Sequence, residues 1–189
     1  PVRLVGVLAL ALVLTSGIPA FLALGPAAPA GASAFVLVHA SLAEIAGVAP
    51  VVQVIEAYDS FVLVNAKPDS IAALEARGIP VESQDEGRWI RLQSISIDTR
   101  IGEPAIAPEL SASMTQAQAL YLIHFIGPAK PAWLSELQSK GVRVLQSVPT
   151  YAFLVSMDGP ALDTVRSLRY VDWVGPYHPA YKLQSELGA

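Results

Sequence analysis

The chain has 189 residues, of which 53% are hydrophobic and 15% are charged, and its formal net charge is −4 at pH 7. This length accommodates one large domain or two small ones, and the acidic balance provides no basic surface for nucleic acid. Cysteine is absent, which excludes disulfides, thiol catalysis and thiolate metal sites.

Residues 1–34 have the pattern of an export signal. Arg3 precedes an apolar core at residues 4–14, and two small-x-small triplets, 30–32 and 32–34, fit a cleavage site. Apolar residues resume after Pro19, so a retained anchor is the alternative, although a membrane span needs roughly 20 apolar residues without such interruptions. We therefore expect a secreted or cell-surface protein that contacts a membrane only through this segment.

The chain begins with proline rather than methionine. We therefore expect it to be part of a longer open reading frame, with residues 184–189 forming a tail that leads to a downstream domain.

Residues 35–93 are predicted to form a first unit of strands and helices. Strands are predicted at residues 35–39, 51–55 and 61–64, with one or two helical turns at 41–46. Asp69 is the predicted N-cap of a second helix, which Gly78 ends. Residues 79–81 and 89–92 are predicted to be extended.

Residues 120–183 are predicted to form a second unit, whose pattern is clearer. An apolar, β-prone strand at 121–125 is followed by a helix at 131–140, with Gly141 where a C-cap belongs. Strands at 142–145 and 152–155, a helix at 161–168 and a strand at 172–175 complete the order β-α-β-β-α-β.

Both units have this element order, and residues 94–119 are predicted to link them. The predicted fold class is therefore α+β: two tandem ferredoxin-like units, each an antiparallel sheet with helices on one face, after an N-terminal signal segment. An internal repeat is a further interpretation, because a shift of about ninety positions aligns residues 62–64 with 153–155 and Val54 with Leu145. A slightly smaller shift aligns His39 with His124.

Few residues have the spacing of a catalytic or metal site. His39 and His124 end corresponding strands and are interpreted as polar residues on the solvent side, and His178 lies in a turn-like stretch without ligand spacing. No phosphate loop, zinc-protease helix or nucleophile elbow occurs. The sequence implies no metal ion or other cofactor.

Two side-chain clusters have ordinary interpretations. An acidic cluster is predicted to be a solvated loop rather than a pair of catalytic carboxylates: Glu82, Asp85 and Glu86. An aromatic cluster is predicted to pack in the core or at its rim, or to form an interface if it is exposed: Trp173, Tyr177 and Tyr181.

One segment resembles a catalytic strand. Residues 95–101 are similar to the strand and Asp-Thr-Gly turn that carry the catalytic aspartate of subtilisin-like proteases, with Asp98 and Thr99 in place. Arg100 stands where that turn has glycine, and the histidine and serine motifs of the triad do not follow. Because a triad needs its base and its nucleophile, we expect no catalytic residue in this chain.

The second unit resembles a different part of the same family. Residues 121–183 are similar to the propeptide domain of subtilisin-like serine proteases, which also occurs as a standalone inhibitor. The similarity rests on the strand at 121–125, the helix ending at Lys140, and the later strand, helix and strand at 151–155, 162–168 and 171–174. Residues 35–92 resemble a degenerate copy, whereas simpler propeptides have one unit.

This resemblance implies a non-catalytic function. Propeptides of the family assist folding of the attached protease and inhibit it temporarily, with the sheet against the enzyme and an extended C-terminal tail along the active-site cleft. The implied partner is a cognate subtilisin-like protease domain downstream, contacted through Tyr181, Lys182, Leu183 and Leu187. The alternatives are a standalone inhibitor or extracellular interaction module, a surface-anchored structural domain, and a small-molecule sensor.

Overall fold

The structure, a computed structural model, describes residues 33–46, 52–112 and 118–182. All of them belong to the same structural unit. The predicted signal segment lies outside the described residues except for its last two positions, and the predicted tail at 184–189 lies outside them entirely. No helix in the described part of the chain is long and apolar enough to cross a membrane.

The described residues form an α+β fold with antiparallel sheets and few helices, as the sequence predicts. The strands are β1 (Ala34–Val38), β2 (Val52–Ala57), β3 (Val62–Ala66), β4 (Val81–Ser83), β5 (Trp89–Arg91), β6 (Ser96–Asp98), β7 (Ala119–Phe125), β8 (Arg143–Val148), β9 (Ala152–Met157) and β10 (Val171–Pro176). The α-helices are α1 (Leu42–Ala46), α2 (Pro68–Glu75), α3 (Pro131–Ser139) and α4 (Gly159–Arg166). Short 3-10 helices occur at Asp85–Arg88, Pro108–Leu110 and Pro179–Lys182.

The first sheet contains β1 to β4 in the antiparallel order β2-β3-β1-β4. Alternate residues of a strand point to opposite faces, so the valines of β1 and β3 share one apolar face. That face forms a buried cluster with Ile45 of α1 and Leu74 of α2. Both helices therefore cover the same side of the sheet.

The second sheet contains β7 to β10 in the antiparallel order β10-β7-β9-β8. Tyr121, Ile123 and Phe125 of β7 point toward α3 and α4 and form the largest buried cluster with residues of those helices. Trp133 of α3 stacks on Tyr170, with ring centroids 4.8 Å apart. This aromatic packing is the main apolar core of the residues that the structure describes.

The opposite face of the second sheet is covered by a hairpin of β5 and β6. Ile90 and Ile97 pair across this hairpin and lie in one buried cluster with Leu122 of β7. The region predicted as a linker therefore contributes a strand to the core, and the extended run at 89–92 pairs with it. The edge strand of the first sheet beside β1 is instead β4.

The ends of α1 and α3 agree with the sequence prediction to within one residue, whereas α4 begins and ends two residues earlier than the predicted 161–168. The predicted N-cap, Asp69, is wrong: α2 begins at Pro68, and Lys67 is the capping residue. Proline fits the first helical position because no hydrogen bond is required of its nitrogen there. Gly78 and Gly141 follow α2 and α3 with φ of +75° and +83°, the left-handed conformation that favours glycine after a helix.

The first sheet is held against the loop that precedes α3. Lys130 in that loop contacts Glu56 Oε1 and the backbone carbonyl of Ala57, both at 2.5 Å. The Tyr58 hydroxyl donates a 2.9 Å hydrogen bond to the Pro128 carbonyl. Because these contacts join residues far apart in sequence, they fix the position of the first sheet relative to the second.

Candidate functional site

The candidate site lies where the turn after β6 meets strands β7 and β10. The pairing register of β10 with β7 shifts between Val171 and Trp173, so Asp172 is the extra residue of a β-bulge. Bulges re-aim a side chain that regular pairing would place elsewhere. Here Asp172 Oδ2 lies 3.0 Å from Nδ1 of His124. Thr99, directly after β6, donates a 2.8 Å hydrogen bond to the same oxygen.

His124 is 2% exposed, so its interpretation as a solvent-facing residue is wrong. The physical reason is the β5–β6 hairpin, which covers the face of β7 that would otherwise meet water. His39, the corresponding residue after β1, is exposed as predicted, and its Nε2 lies 3.6 Å from Glu82 Oε2.

The hydrogen bonds around Asp172 determine its charge state. Burial raises the pKa of Asp172, but the hydrogen bonds from His124 and Thr99 and the nearby charge of Arg100 outweigh burial and lower the pKa below its ordinary value. Asp172 is therefore ionised at neutral pH and accepts, so His124 Nδ1 carries the hydrogen of their bond. His124 Nε2 is buried and has no hydrogen-bond partner among the described residues.

Asp98, the residue that resembles a protease aspartate, has a different local environment. It is 8% exposed, and Arg88 Nε lies 3.1 Å from its Oδ2. Its Oδ1 accepts a 3.0 Å hydrogen bond from the backbone N–H of Arg100. These contacts fix the turn after β6 and thereby hold Thr99 beside Asp172.

A cavity of about 80 Å³ adjoins these residues. Its polar lining includes Arg88, Thr99, Arg100, His124 and Asp172. Phe35 of β1 and Ile126 after β7 provide apolar walls, so both halves of the chain contribute to the cavity. Among the described residues, no group of three or more histidine, aspartate or glutamate side chains could hold a metal ion. The lining therefore combines two arginines with the ionised Asp172, and Arg88 is paired with Asp98.

The structure describes two of the four residues predicted to contact a protease, of which one is buried and the other exposed. Tyr181 lies in the 3-10 helix Pro179–Lys182 and is 3% exposed, packed between the hairpin and the second sheet. Its carbonyl oxygen accepts a 2.8 Å hydrogen bond from Ser94. Lys182 is exposed and borders a groove of about 430 Å³. Leu183 and Leu187 lie outside the described residues.

Because the chain turns back onto its own sheet at Tyr181, that side chain fills a site within this molecule. It is therefore not free to enter a pocket on a partner. The partly buried Trp173 and Tyr177 belong to the same cluster, so the prediction of core and rim packing for these aromatic residues is confirmed.

His178 is also buried, and it ties the segment after β6 to the end of β10. Its Nδ1 accepts a 2.8 Å hydrogen bond from the backbone N–H of Ala112, and its Nε2 lies 2.5 Å from Glu103 Oε1. The sequence predicts a turn at His178, and both of its partners lie on the segment predicted as a linker. The acidic cluster is exposed as predicted: Glu82, Asp85 and Glu86.

No sequence pattern marks Asp172, Arg88 or Arg100 as members of a site. The one available signal was His124, a titratable residue within the apolar run at 121–125. Its partners come from the turn after β6 and from a bulge in β10, and neither feature has a pattern that the sequence displays.

Residues 91–178 match a family model described as a domain of unknown function, DUF8729. The matched residues include β6, the complete second sheet and both of its helices, together with Thr99, Arg100, His124 and Asp172. No curated protein and no solved structure matches the chain. The chain is thus similar to that family over β6 and the second sheet, whereas the first sheet and most of β5 lie outside the match.

Proposed function

We propose that the chain is the non-catalytic pro-region of an exported subtilisin-like serine endopeptidase, which assists folding of the protease domain and inhibits it temporarily. The observation that carries this proposal is the shared topology of the two sheets. When the strands of each half are numbered from one to four, both sheets have the order 4-1-3-2. This is the order of a ferredoxin-like βαββαβ unit, the architecture expected from the resemblance to propeptides.

The pairing registers support a tandem repeat of such units. Residues 36–38 pair with 64–62 in the first sheet in the same way that residues 121–123 pair with 155–153 in the second. The edge strands β2 and β8 also have corresponding register shifts, between Val54 and Glu56 and between Val144 and Gln146. By this register Val54 corresponds to Val144, one residue away from its sequence-based alignment with Leu145.

The proposed protease contact differs from the one that the resemblance implies. The non-helical face of the second sheet is occupied by the β5–β6 hairpin, so this face is covered within the chain itself. Tyr181 is buried as well. The contact with the protease therefore begins at Lys182, beside the groove, and continues through residues 183–189. Backbone pairing of such an extended segment provides affinity without a catalytic group.

An inhibition assay with the purified 189-residue chain and a subtilisin-like protease tests the proposal. We expect saturable inhibition, which removal of residues 183–189 weakens at least tenfold, corresponding to about 1.4 kcal/mol of binding free energy. Lys182→Ala should weaken inhibition. Lys140→Ala is the control and should leave inhibition unchanged, because Lys140 lies at the C-terminal end of α3 and pairs with Glu136 of the same helix. Refolding of the denatured protease should be faster with the chain present.

Sequencing the coding region beyond Ala189 distinguishes the proposed pro-region from its alternatives. A reading frame with the three triad motifs of subtilisin-like proteases supports a pro-region acting in cis. Inhibition without such a frame favours a standalone inhibitor. If neither inhibition nor assisted refolding is observed, the proposal is wrong, and an extracellular interaction module takes its place.

A further inference from the structure

The strongest unassigned feature is the groove of about 430 Å³ beside Lys182, the last residue that the structure describes. The β5–β6 hairpin contributes residues 91–93 to its lining, and the end of β8 with the following turn contributes residues 146–149. Tyr177 and Tyr181 complete the lining. Ligand sites in proteins measure roughly 300–1,000 Å³, so the groove is large enough for a short stretch of peptide.

The groove has polar groups for a polypeptide backbone and apolar surface for side chains. The exposed side chains of Gln93, Gln146 and Ser147 make no hydrogen bond with the other described residues. Leu92 and Pro149 provide apolar surface. Extended peptides are recognised by this combination, because hydrogen bonds to the main chain provide affinity while apolar contacts hold alternate side chains.

The charged side chains of the groove are both positive. Lys182 and Arg91 line it, and no aspartate or glutamate does so among the described residues. Arg91 is paired with Glu86, but both side chains are exposed, and such pairs are weak. Lys182 makes no ion pair with the described residues, and its Nζ lies 5.8 Å from the centroid of the Tyr177 ring. The groove therefore favours a segment with a negative charge.

The chain itself contains a segment with these properties. Residues 183–189 follow Lys182 directly, and Glu186 is the one charged residue among them. Alternate side chains of an extended segment point to opposite sides, so Leu183 and Leu187 share one side and Glu186 lies on the other. An extended conformation thus separates an apolar side from an acidic one.

The way in which the chain leaves the fold favours binding within the molecule. Ser94 Oγ donates a 2.8 Å hydrogen bond to the Tyr181 carbonyl, which holds the chain at the groove immediately before Lys182. A segment joined to its site by a short connection has an effective concentration on the order of millimolar. A groove of weak intrinsic affinity is therefore still filled by the segment that follows Lys182.

We propose that the groove binds residues 183–187 of the same chain in an extended conformation, with Leu183 and Leu187 on its apolar surface and Glu186 facing its positive charge. One consequence rests on the proposed pro-region function, in which the same residues contact the protease. The segment has to leave the groove before it can inhibit, so the groove and the protease compete for it.

Disulfide trapping in the full 189-residue chain tests the groove, because the chain has no native cysteine. Ser147→Cys places a thiol in the groove, and Ser185→Cys places one on the leucine side of the segment. This pair should form an intramolecular disulfide roughly tenfold or more faster than Ser135→Cys with Ser185→Cys, because the groove raises the local concentration of the segment. Ser135 is the matched control, an exposed serine of α3 on the other face of the second sheet. Equal rates, measured by mass spectrometry of the monomer, would overturn the proposal.

A charge reversal tests the orientation of the segment. Glu186→Lys in the chain with cysteines at 147 and 185 should slow disulfide formation about two- to fivefold, because lysine is repelled by the two cations of the groove. Glu109→Lys changes the net charge equally, and Glu109 is an exposed residue outside the groove, so it should leave the rate unchanged. Equal slowing by both variants would show that Glu186 does not face the groove.

An inhibition assay separates the groove from the pro-region function. The cross-linked chain should inhibit a subtilisin-like protease weakly and recover on reduction, with the cysteine-free wild type in the same reductant as the reference. Fast cross-linking without inhibition by the reduced chain supports the groove and contradicts the pro-region function. Inhibition together with equal cross-linking rates for the two cysteine pairs supports the pro-region function and contradicts the groove. Equal inhibition by the cross-linked and reduced forms would show that the groove does not compete with the protease.

Discussion

Asp172 Oδ2 accepts a hydrogen bond from His124 Nδ1 at 3.0 Å, although in the β10–β7 ladder it is Trp173 that pairs with His124. The bulge places the carboxylate beside the imidazole, and Thr99 donates to the same oxygen. One side chain thus joins two neighbouring strands and the turn after β6. The other imidazole nitrogen, Nε2, is buried without a hydrogen-bond partner among the described residues.

The Asp172→Asn variant tests the contribution of this carboxylate to stability. We expect a loss of about 1 kcal/mol in the free energy of unfolding at neutral pH, because a charged acceptor of two hydrogen bonds becomes neutral. The pKa of Asp172 is lower in the folded protein than its ordinary value of 3.8. Its stabilisation is therefore present above pH 3.8 and is lost as the pH falls through the lower, folded-state pKa.

Urea unfolding between pH 7 and pH 2 measures this difference. Asp163→Asn is the control, because Asp163 on α4 has a side chain that is 81% exposed and should contribute little. An equal loss in both variants, or a loss for Asp172→Asn that persists at the lowest pH, would contradict the prediction.

The sequence predicts the strand β7, but it does not predict the environment of His124 within that strand. The apolar run at 121–125 predicts β7, because hydrophobic and β-prone residues favour strands whatever lies around them. The environment of His124 depends on which distant segment covers β7, and β5 and β6 are too short to have a distinctive period. The bulge at Asp172 has no local pattern either. Gly141 was predictable because a left-handed residue after a helix is a local requirement.

Glu56 of β2 is expected to make the main polar contact between the first sheet and the second half of the chain. Its side chain is 10% exposed and contacts both Lys130 and Arg169. Burial raises the pKa of Glu56, but these two cations outweigh burial and lower it below its ordinary value of 4.5. Glu56→Gln should reduce the free energy of unfolding by about 1–3 kcal/mol at neutral pH, because Lys130 loses a buried, charged acceptor.

As with any carboxylate of lowered pKa, this stabilisation should disappear as the pH falls below 4.5 and through the folded-state pKa. Chemical denaturation of Glu56→Gln and of Glu75→Gln, an exposed residue of α2, measures the effect. A coupling energy near zero in a double-mutant cycle of Glu56→Gln with Lys130→Met would show that the pair does not hold the halves together.

Gly175 is expected to tolerate no side chain. A Cβ atom at this position in β10 would lie 2.3 Å from Cζ2 of the Trp173 indole, which covers the glycine. Gly175→Ala should therefore destabilise the protein by about 1–3 kcal/mol, since the indole must leave its packed position. Gly159→Ala at the start of α4 meets no atom within 4 Å and should be neutral or stabilising by about 0.5–1 kcal/mol. Thermal unfolding with tryptophan fluorescence compares the two, and equal melting temperatures would contradict the predicted packing.

Two buried tyrosines should respond in opposite ways to loss of their hydroxyl groups. The Tyr170 hydroxyl donates a 3.0 Å hydrogen bond to Glu136, so Tyr170→Phe should cost about 1 kcal/mol. The Tyr181 hydroxyl is buried without a hydrogen-bond partner in the described part of the chain. Tyr181→Phe should therefore be neutral or more stable than wild type by up to about 1 kcal/mol, because an unsatisfied polar group is removed.

The alkaline pH dependence provides a second test at Tyr181. Burial, with the nearby charge of Glu103, raises the pKa of Tyr181 to about 12, above its ordinary value of 10.0. A group with a raised folded-state pKa contributes stability below its unfolded pKa and loses that contribution as the pH rises through the folded one. The advantage of Tyr181→Phe should therefore increase between pH 10 and pH 12, as measured by urea midpoints. If Tyr181→Phe is instead as destabilising as Tyr170→Phe, the hydroxyl is satisfied in solution, and the 3-10 helix does not hold Tyr181 as the structure describes.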